Sequence, residues 1–316
     1  MCVSKTFHYP VLYREILEYS PVAPKYILDG TFGHAGHAKY LLENIAEIET
    51  YVGLDQDPDV IKDFKSQDFT GYSKIKLIHT NFADISRYHN YIKQKLDLIL
   101  LDLGTSMHQL RNADRGFSFL KDGPLDMRMN TSEGILLKDW IDTASQMEIS
   151  ETLKNYGEEK FHHRISIAIK EKSNDLNSTL DLANCIEECL PKSYVRQQKI
   201  HVATRSFQAF RIMLNKELES LKYALDNLLP YLRPGGRIMV ISFHSLEDRI
   251  VKRFMRKMAG RPEHRGDKSF LDQRRSVAEM INTKAIFPTK KEVESNPKSR
   301  SARLRVLQKK SNPRFL

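Results

Sequence analysis

One stretch of the chain, residues 25–55, restricts the possible folds more than any other. An apolar run ends in Asp29, the glycine-rich segment 30–37 follows, a helical pattern continues through Ile45, and a second apolar run ends in Asp55. Strand, glycine-rich turn, helix and strand together make one βαβ unit of about 30 residues. Because such a crossover places its two strands parallel in one sheet, the stretch predicts an α/β domain.

The glycine spacing of this turn indicates the kind of ligand. Gly30, Gly33 and Gly36 form the pattern G-x-x-G-x-x-G, whereas dinucleotide-binding folds use G-x-G-x-x-G. Glycines let a ligand approach the backbone N–H groups because no Cβ stands in the way. Asp29 places a carboxylate directly before this looser turn. A carboxylate attracts the cationic tail of S-adenosylmethionine and not a pyrophosphate, so the turn favours S-adenosylmethionine as the ligand. From this stretch alone, an ordinary strand-to-helix turn is the alternative.

Further patterns predict the remainder of the sheet and its helices. The predicted strands are 74–79, 96–102 and 237–242, with an alternating strand at 302–307 that suits an antiparallel position beside them. A long helix is predicted over 203–229, because its apolar residues recur every three or four positions. Ser245 and Asp248 predict the capped start of another helix. The basic, polar segment 259–300 shows no regular pattern.

The middle of the chain differs from both ends. Residues 131–200 contain helical patterns and no strand pattern, which indicates a helical insertion in the α/β domain. We therefore predict a cofactor-binding α/β domain formed by residues 1–110 and 216–316. Residues 111–215 are predicted to form an inserted helical domain that recognises the substrate.

The predicted strands end in polar or glycine-rich residues. In an open α/β sheet, ligands bind beyond the carboxyl ends of the strands. Asp55 is predicted to bond ribose hydroxyls, Phe82 to lie against an adenine, and Asp102 to face the reactive end of the ligand. Ser242-Phe243-His244 follows a later strand at the same edge. Several such ends together predict a nucleoside-type site.

Two segments suit contacts with nucleic acid. Residues 114–129 mix Asp, Arg, Gly and aromatic side chains, which suits a flipped base that needs stacking and edge hydrogen bonds. A surface loop with local ion pairs is the alternative. Arg205, Gln208, Arg211 and Asn215 share one helix face, which would contact phosphates and bases if it borders the cleft. A solvated helix side is the alternative there.

Composition restricts the partners and the compartment. The net charge of +10 and the pI of about 9.3 favour a polyanionic partner. No apolar run approaches the ~18 residues of a membrane span, and the N-terminus lacks signal or transit features.

The three cysteines, Cys2, Cys185 and Cys189, form no disulfide framework, so we expect a reducing, cytoplasmic location. The pair four residues apart suits helix packing better than a metal site.

Several long motifs carry a resemblance to one family. They are 8–12, 29–37, 53–58, 115–119, 122–129, 203–205, 241–252 and 296–302. With these motifs the sequence resembles the bacterial RsmH (MraW) family nearly end to end. The resemblance implies a class I S-adenosylmethionine-dependent methyltransferase, with a Rossmann-like, mainly parallel sheet and an inserted helical domain. It further implies methylation of the exocyclic N4 of a cytidine in the decoding region of 16S rRNA, within the small ribosomal subunit.

The resemblance also implies site residues, which we assign by motif. The cofactor contacts are Gly33, Ala35, Gly36, His37, Asp55, Phe82, Asp102 and Gln109. The groups predicted for catalysis are Asp102 and Ser106 near the amine, with Asp126 and Arg128 holding the base. The residues predicted to bind RNA are Arg115, Phe117, Arg205, Arg211 and His244. No metal or covalent intermediate is required, and no cysteine lies near the fourth strand, where a C5-cytosine enzyme would need a nucleophile.

The chain departs from the family pattern at a few positions. Ala35 stands where the family usually has glycine, and its methyl group trims the room for the cofactor tail. Thr105 and Met107 alter the segment after the fourth strand, Arg111 replaces a usual acidic residue, and Val202 replaces a usual proline. These departures bear on individual roles near the target base.

Two other functions compete with the methyltransferase hypothesis. One is a non-catalytic RNA-binding assembly factor with a vestigial cofactor pocket, which the intact Asp55, Asp102 and glycine turn disfavour. The other is a nicotinamide oxidoreductase, which the glycine spacing disfavours. Whether the protein is a monomer or a dimer stays open.

Overall fold

The computed structural model describes residues 9–66, 72–93, 95–268 and 275–315. Cys2 and the first residue of the 8–12 motif lie outside these residues. The chain divides into two compact units, Met1–Gly104 with Leu218–Leu316 and the intervening Thr105–Glu217. We call the first the α/β unit and the second the helical unit. The sequence placed the two junctions at 110/111 and 215/216.

A seven-stranded sheet organises the α/β unit. Its strands are β1 (Tyr26–Asp29), β2 (Thr50–Asp55), β3 (Ile75–His79), β4 (Leu96–Asp102), β5 (Leu232–Ser242), β6 (Arg275–Met280) and β7 (Arg303–Phe315). The strand order is β3-β2-β1-β4-β5-β7-β6. Strands β1 to β5 pair in parallel, and β7 pairs antiparallel with β5 and β6. The predicted Rossmann-like, mainly parallel sheet is confirmed, as is the antiparallel position of the last strand.

The helices are distributed along the whole chain. In chain order they are α1 (Tyr13–Glu18), α2 (Gly36–Asn44), α3 (Pro58–Ser66), α4 (Ile85–Tyr88), α5 (Met107–Arg111), α6 (Leu137–Thr143), α7 (Gln146–Gly157), α8 (His162–Glu171), α9 (Thr179–Glu188), α10 (Lys192–Gln197), α11 (Thr204–Leu214), α12 (Glu217–Leu228), α13 (Ser245–Met258) and α14 (Lys290–Ser295). Short 3₁₀ turns connect several of them.

The α/β unit has a hydrophobic core on each face of its sheet. On β4, Ile99 and Leu101 belong to one core, and Leu98 and Leu100 belong to the other. This alternation follows from the two-residue period of a strand, so a strand that is covered on both faces is apolar almost throughout. Helices α12 and α13 contribute to the first core, and α1, α2 and α3 contribute to the second.

The helical unit has its own core, built from apolar residues of α6 to α9 and α11. Cys185 is buried in this core, and Cys189 is half-buried against it. Within the described ranges, no group of three or more His, Cys, Asp or Glu residues is placed to hold a metal ion. No helix in the described part of the chain is long and apolar enough to cross a membrane.

The single helix predicted over 203–229 is wrong, because the structure has two helices there. The break lies at Asn215 and Lys216, and Lys216 has a left-handed φ of 50°. The Asn215 amide donates to the carbonyls of Arg211 (2.9 Å) and Met127 (3.0 Å), and its Oδ1 accepts from the Met129 N–H (2.7 Å). These tertiary hydrogen bonds end the helix although the apolar spacing continues through it.

Two other local predictions also need correction. Residues 259–300 contain regular structure, namely β6 and α14. The start of α13 is capped by His244 and not by Ser245, because the His244 ring accepts from the Glu247 N–H (3.4 Å) and Glu247 returns a bond to the main chain. Histidine imitates the usual Ser or Asp cap with its ring nitrogen, so a search for the usual cap residues passes over it.

Candidate active site

The glycine-rich turn between β1 and α2 has a shape that large side chains would not permit. A Cβ on Gly30 would lie 2.5 Å from Leu101 Cδ2 and 3.0 Å from Phe82 Cβ. Gly33 and Ala35 both have positive φ angles, 53° and 64°. Ala35 is fully buried in the core and is the residue before α2. Its methyl group is therefore accommodated in a backbone conformation where the family pattern usually has glycine.

Asp55, at the end of β2, is tied to this turn. Its Oδ2 accepts from the Gly33 N–H (2.8 Å), and its Oδ1 accepts from the Asp57 N–H (2.8 Å). Burial raises the pKa of Asp55 to about 6, although both hydrogen bonds oppose the rise. Each carboxylate oxygen has a second lone pair, so the group can accept ribose hydroxyls while keeping its main-chain bonds.

Asp102, at the end of β4, faces His37 from the first turn of α2. The closest approach is 3.3 Å, between His37 Nε2 and Asp102 Oδ2. Neither His37 ring nitrogen, nor Asp102 Oδ1, makes a hydrogen bond within the described ranges, although all three atoms are buried. Buried polar atoms without hydrogen bonds are rare and costly in folded proteins. They are the kind of atoms that a polar ligand would satisfy.

The polar groups at this edge of the sheet suit the hydrogen-bonding groups of S-adenosylmethionine. His37, Asp102 and the turn can take a charged amino-acid tail, and Asp55 can take a ribose. Phe82 is half-buried, and its carbonyl is fixed by the Tyr88 hydroxyl (2.6 Å), which holds an aromatic ring beside Gly30. The structure thus brings together seven of the predicted cofactor residues in the α/β unit, namely Gly33, Ala35, Gly36, His37, Asp55, Phe82 and Asp102.

Several residues support this edge through hydrogen bonds that the sequence did not predict, and Asp29, the predicted acidic strand end, is one of them. The Thr31 hydroxyl accepts from the Asp102 N–H (2.7 Å) and fixes the end of β4. Asp29 is buried and accepts from the Tyr51 hydroxyl (2.8 Å) and the Thr31 N–H (3.1 Å). Burial raises the pKa of Asp29, and the nearby His37 opposes the rise. Glu292 of α14, far along the chain, accepts from the Leu12 N–H (2.7 Å), a pairing that no local pattern reveals.

The remaining predicted cofactor and amine-facing residues lie in the helical unit. Ser106 and Gln109 form a reciprocal cap at the start of α5: the Ser106 hydroxyl accepts from the Gln109 N–H (3.1 Å), and the Gln109 side chain accepts from the Ser106 N–H (3.0 Å). The cap gives both residues a local structural role. Their predicted contacts with cofactor and amine stay predictions.

The charged loop of the helical unit is tightly built. Arg128 pairs with Asp126 through two parallel bonds, Nε to Oδ1 (2.8 Å) and Nη2 to Oδ2 (2.9 Å). Arg115 is 4% exposed and donates from Nη2 to the carbonyls of Arg128 and Met129, both at 3.0 Å. Phe117 is also buried. These contacts show how the loop is held, and the proposed contacts of Arg115 and Phe117 with RNA stay predictions.

The other predicted RNA contacts have varied surroundings. Arg205 is half-buried on α11. Arg211 forms a two-bond ion pair with Glu217 (2.8 and 2.9 Å) in which both side chains are largely buried. His244 lies in the α/β unit at the carboxyl edge of the sheet, where Asp102 pairs in register with Ile241. None of these geometries tests RNA binding.

We expect a methyl group at Gly30 to weaken cofactor binding. In Gly30→Ala the added Cβ would overlap Leu101 and press on Phe82, the ring predicted to lie against the adenine. Overpacking of this kind costs about 1–3 kcal/mol, so affinity for S-adenosylmethionine should fall by about tenfold or more in titration calorimetry. Gly266→Ala is the matched control, because its nearest neighbour would be His264 Nδ1 at 3.6 Å. Equal affinities of Gly30→Ala and wild type would contradict this packing.

We expect nucleoside affinity to fall as the pH drops below about 6. Asp55, whose pKa is raised to about 6 by burial, takes up a proton in that range and loses acceptor capacity for ribose hydroxyls. A ligand that needs the carboxylate loses about tenfold in affinity per pH unit below that pKa. Calorimetry with 5′-methylthioadenosine checks this, since that ligand lacks the titratable amino-acid tail. Asp55→Asn should bind weakly and without this pH dependence; a wild-type affinity that stays constant down to about pH 5 would refute the role.

Comparisons with known proteins agree with this geometry. A model of the MraW methylase family matches residues 5–310. The ribosomal RNA small subunit methyltransferase H of Buchnera aphidicola subsp. Schizaphis graminum is 40% identical over 315 residues, which cover 96% of this chain and 98% of that protein. The protein of the same name from Hydrogenovibrio crunogenus is 39% identical over 309 residues, with 96% of each chain covered.

Solved structures give a more distant likeness. The crystal structure of an rRNA methylase from Streptococcus thermophilus aligns with 98% of this chain and 100% of that chain, at 8% identity and a TM-score of 0.42. A likeness of that size has no bearing on function.

The parallel sheet with its antiparallel β7 and the match to the MraW methylase family together define a class I S-adenosylmethionine-dependent methyltransferase. Within that class the chain belongs to the MraW methylase family. The resemblance drawn from the motifs is thereby confirmed.

Proposed function

We propose that this methyltransferase acts on the small-subunit ribosomal RNA, at the exocyclic N4 of a cytidine in the decoding region. Two relatives about 40% identical over nearly the whole chain carry the name ribosomal RNA small subunit methyltransferase H, and this supports the choice of RNA. The excess of basic over acidic residues, 50 against 40, agrees with a polyanionic substrate.

The observation that carries the choice of an amine is the carboxylate of Asp102. It lies at the end of the central strand β4, and its buried Oδ1 makes no hydrogen bond within the described ranges. The amine of cytosine is a poor nucleophile, because its lone pair is delocalised into the ring. A carboxylate that accepts an N–H bond turns this lone pair toward the methyl donor and supports its charge during transfer.

The methyl donor is S-adenosylmethionine, which supplies an electrophilic methyl group on a sulfonium. The chain's own residues do the remaining work. Asp102 holds the amine in line and takes the proton that nitrogen releases when the N–C bond forms and the S–C bond breaks. His37 Nε2 lies 3.3 Å from the other oxygen of this carboxylate, Asp102 Oδ2.

The helical unit is proposed to bind the RNA substrate. Asp126 and Arg128 are proposed to hold the cytosine, and Ser106 to lie near its amine. Within the described residues, Arg128 Nη1 takes no part in the two bonds to Asp126 and makes one long contact of 3.5 Å to the Gly134 carbonyl. Gln109 is proposed to contact the cofactor. Arg115, Phe117, Arg205, Arg211 and His244 are proposed to contact the RNA.

The cellular test is deletion of the gene followed by mapping of small-subunit cytidines. We expect one cytidine in the decoding region to lose its N4 methyl group, and plasmid-borne wild type to restore it. Asp102→Ala should not restore it although the protein is present. An unchanged methylation pattern in the deletion strain would contradict the proposed substrate. The proposal also places the protein in the cytoplasm, with the assembled or nearly assembled small subunit.

A further inference from the structure

The outward face of α13 is a continuous basic surface, and none of the predicted RNA contacts lies on it. Arg249, Lys252, Arg253 and Lys257 are exposed there, and Arg256 is half-exposed. The two acidic residues of the helix, Glu247 and Asp248, are buried at 2% and 8% exposure. The helix is 14 residues long, so it presents only positive charge to solvent over a length of about 21 Å.

The basic surface continues beyond the end of the helix. Residues 261–268 are held by local bonds, including the Arg261 N–H to the Arg256 carbonyl (2.8 Å) and the Glu263 N–H to Asp267 Oδ2 (2.8 Å). We define the basic face by six exposed cations that have no ion-pair partner within the described ranges. They are Lys252, Arg253, Lys257, Arg261, Arg265 and Lys268.

This arrangement works against helix stability. Arg249, Arg253 and Lys257 follow one another at four-residue spacing, so like charges are neighbours on one helix face and repel each other. An ordinary solvated helix would intersperse acidic residues at such positions. The repulsion disappears when an anionic partner binds, which makes a polyanion the complementary occupant.

The geometry points to the phosphate backbone of folded RNA as that occupant. We propose that the basic face of α13 and residues 261–268 docks the RNA that flanks the target nucleotide. Helix α13 begins directly after His244, at the edge of the sheet that holds Asp102, and Lys252, the first of the six cations, follows about 10 Å further along the helix. An anionic membrane suits it less, because a membrane-surface helix must insert its apolar face, whereas Val251, Phe254 and Met255 are buried in the protein core. This inference rests on the proposed function for the identity of the RNA.

The test compares two charge-reversal triples in the full-length protein. The first is Lys252→Glu with Arg253→Glu and Lys257→Glu. The control is Lys65→Glu with Lys93→Glu and Lys222→Glu, which makes the same change in net charge at exposed cations elsewhere in the α/β unit. Thermal unfolding and binding of S-adenosylmethionine should match wild type in both, because none of the six side chains lies in the core or at the cofactor edge.

We expect the α13 triple to weaken binding of small-subunit rRNA by roughly 10- to 100-fold in fluorescence anisotropy, and the control by less than about threefold. In the α13 triple, the slope of log affinity against log salt concentration should become shallower. The change should correspond to the loss of about two to three phosphate contacts. Methyl transfer should lose kcat/KM while kcat at saturating RNA is retained.

Three results would overturn the docking surface. They are equal losses in both triples, unchanged RNA binding in the α13 triple, or a loss of binding only to vesicles of equal parts phosphatidylglycerol and phosphatidylcholine. A wrong assignment of the reaction would give a different result from these three. If wild type methylates no cytidine but the α13 triple still loses RNA affinity, the docking surface stands and the proposed reaction falls.

Discussion

Replacing Asp102 by alanine should lower kcat for methyl transfer by about a thousandfold or more. The variant loses the carboxylate that orients the amine and receives its proton, and such positioned acceptors contribute about 10²–10⁴-fold. The main-chain bond from the Asp102 N–H to Thr31 does not involve the side chain, so the fold of the strand end should persist. Initial rates of tritium transfer from S-adenosylmethionine to small subunits check the effect.

Measurement of cofactor affinity distinguishes the loss of a catalytic group from the loss of the cofactor site. Asp102→Asn keeps the size of the side chain and one acceptor oxygen, so it should bind S-adenosylmethionine more tightly than Asp102→Ala while still transferring methyl slowly. Asp226→Ala, at an exposed carboxylate on α12, is the matched control and should be fully active. Full activity of Asp102→Ala would remove Asp102 from the mechanism.

Replacing Arg115 by alanine should destabilise the helical unit by about 3 kcal/mol. Its buried guanidinium bonds the carbonyls of Arg128 and Met129, and its loss removes these hydrogen bonds and leaves a cavity. Denaturant unfolding, followed by the fluorescence of Trp140, the single tryptophan of the chain, measures the effect because Trp140 packs against the core of the helical unit.

This variant also distinguishes two roles for Arg115. Arg111→Ala is the control, because Arg111 is an exposed arginine of the same unit and should change stability by less than about 0.5 kcal/mol. If Arg115→Ala unfolds like wild type but binds RNA weakly, the structural role is refuted and the direct RNA contact is supported.

The sequence was sufficient to predict the glycine turn and the strand ends at the carboxyl edge of the sheet, because these features follow from local patterns. Asp55 and Asp102 each end an apolar strand, and parallel strands bring such ends to one edge of a sheet. The glycine turn required only the spacing of three glycines. Each of these features depends on neighbours in the chain and on the two-residue strand period, which sequence patterns report directly.

The features that sequence reasoning missed depend on contacts between distant residues. Asn215 interrupts a continuous helical pattern because its amide bonds Met127 and Met129, which lie 88 and 86 residues earlier. Strand β6 is specified by pairing with β7, because its own short sequence has no clear strand pattern. The burial of Arg115 and Phe117 depends on how the whole loop folds back on itself, which composition does not report. Their contacts with RNA stay predictions.

The most direct test of the central claim is methyl transfer by the purified enzyme to small subunits isolated from the gene-deletion strain. After incubation with tritiated S-adenosylmethionine, the rRNA is digested and the labelled nucleoside is identified by chromatography and mass spectrometry. We predict a single labelled product, N4-methylcytidine, located in the decoding region, and no label with Asp102→Ala. Label on another base or another atom of cytidine, or no label with wild-type enzyme that binds the cofactor, would contradict the account.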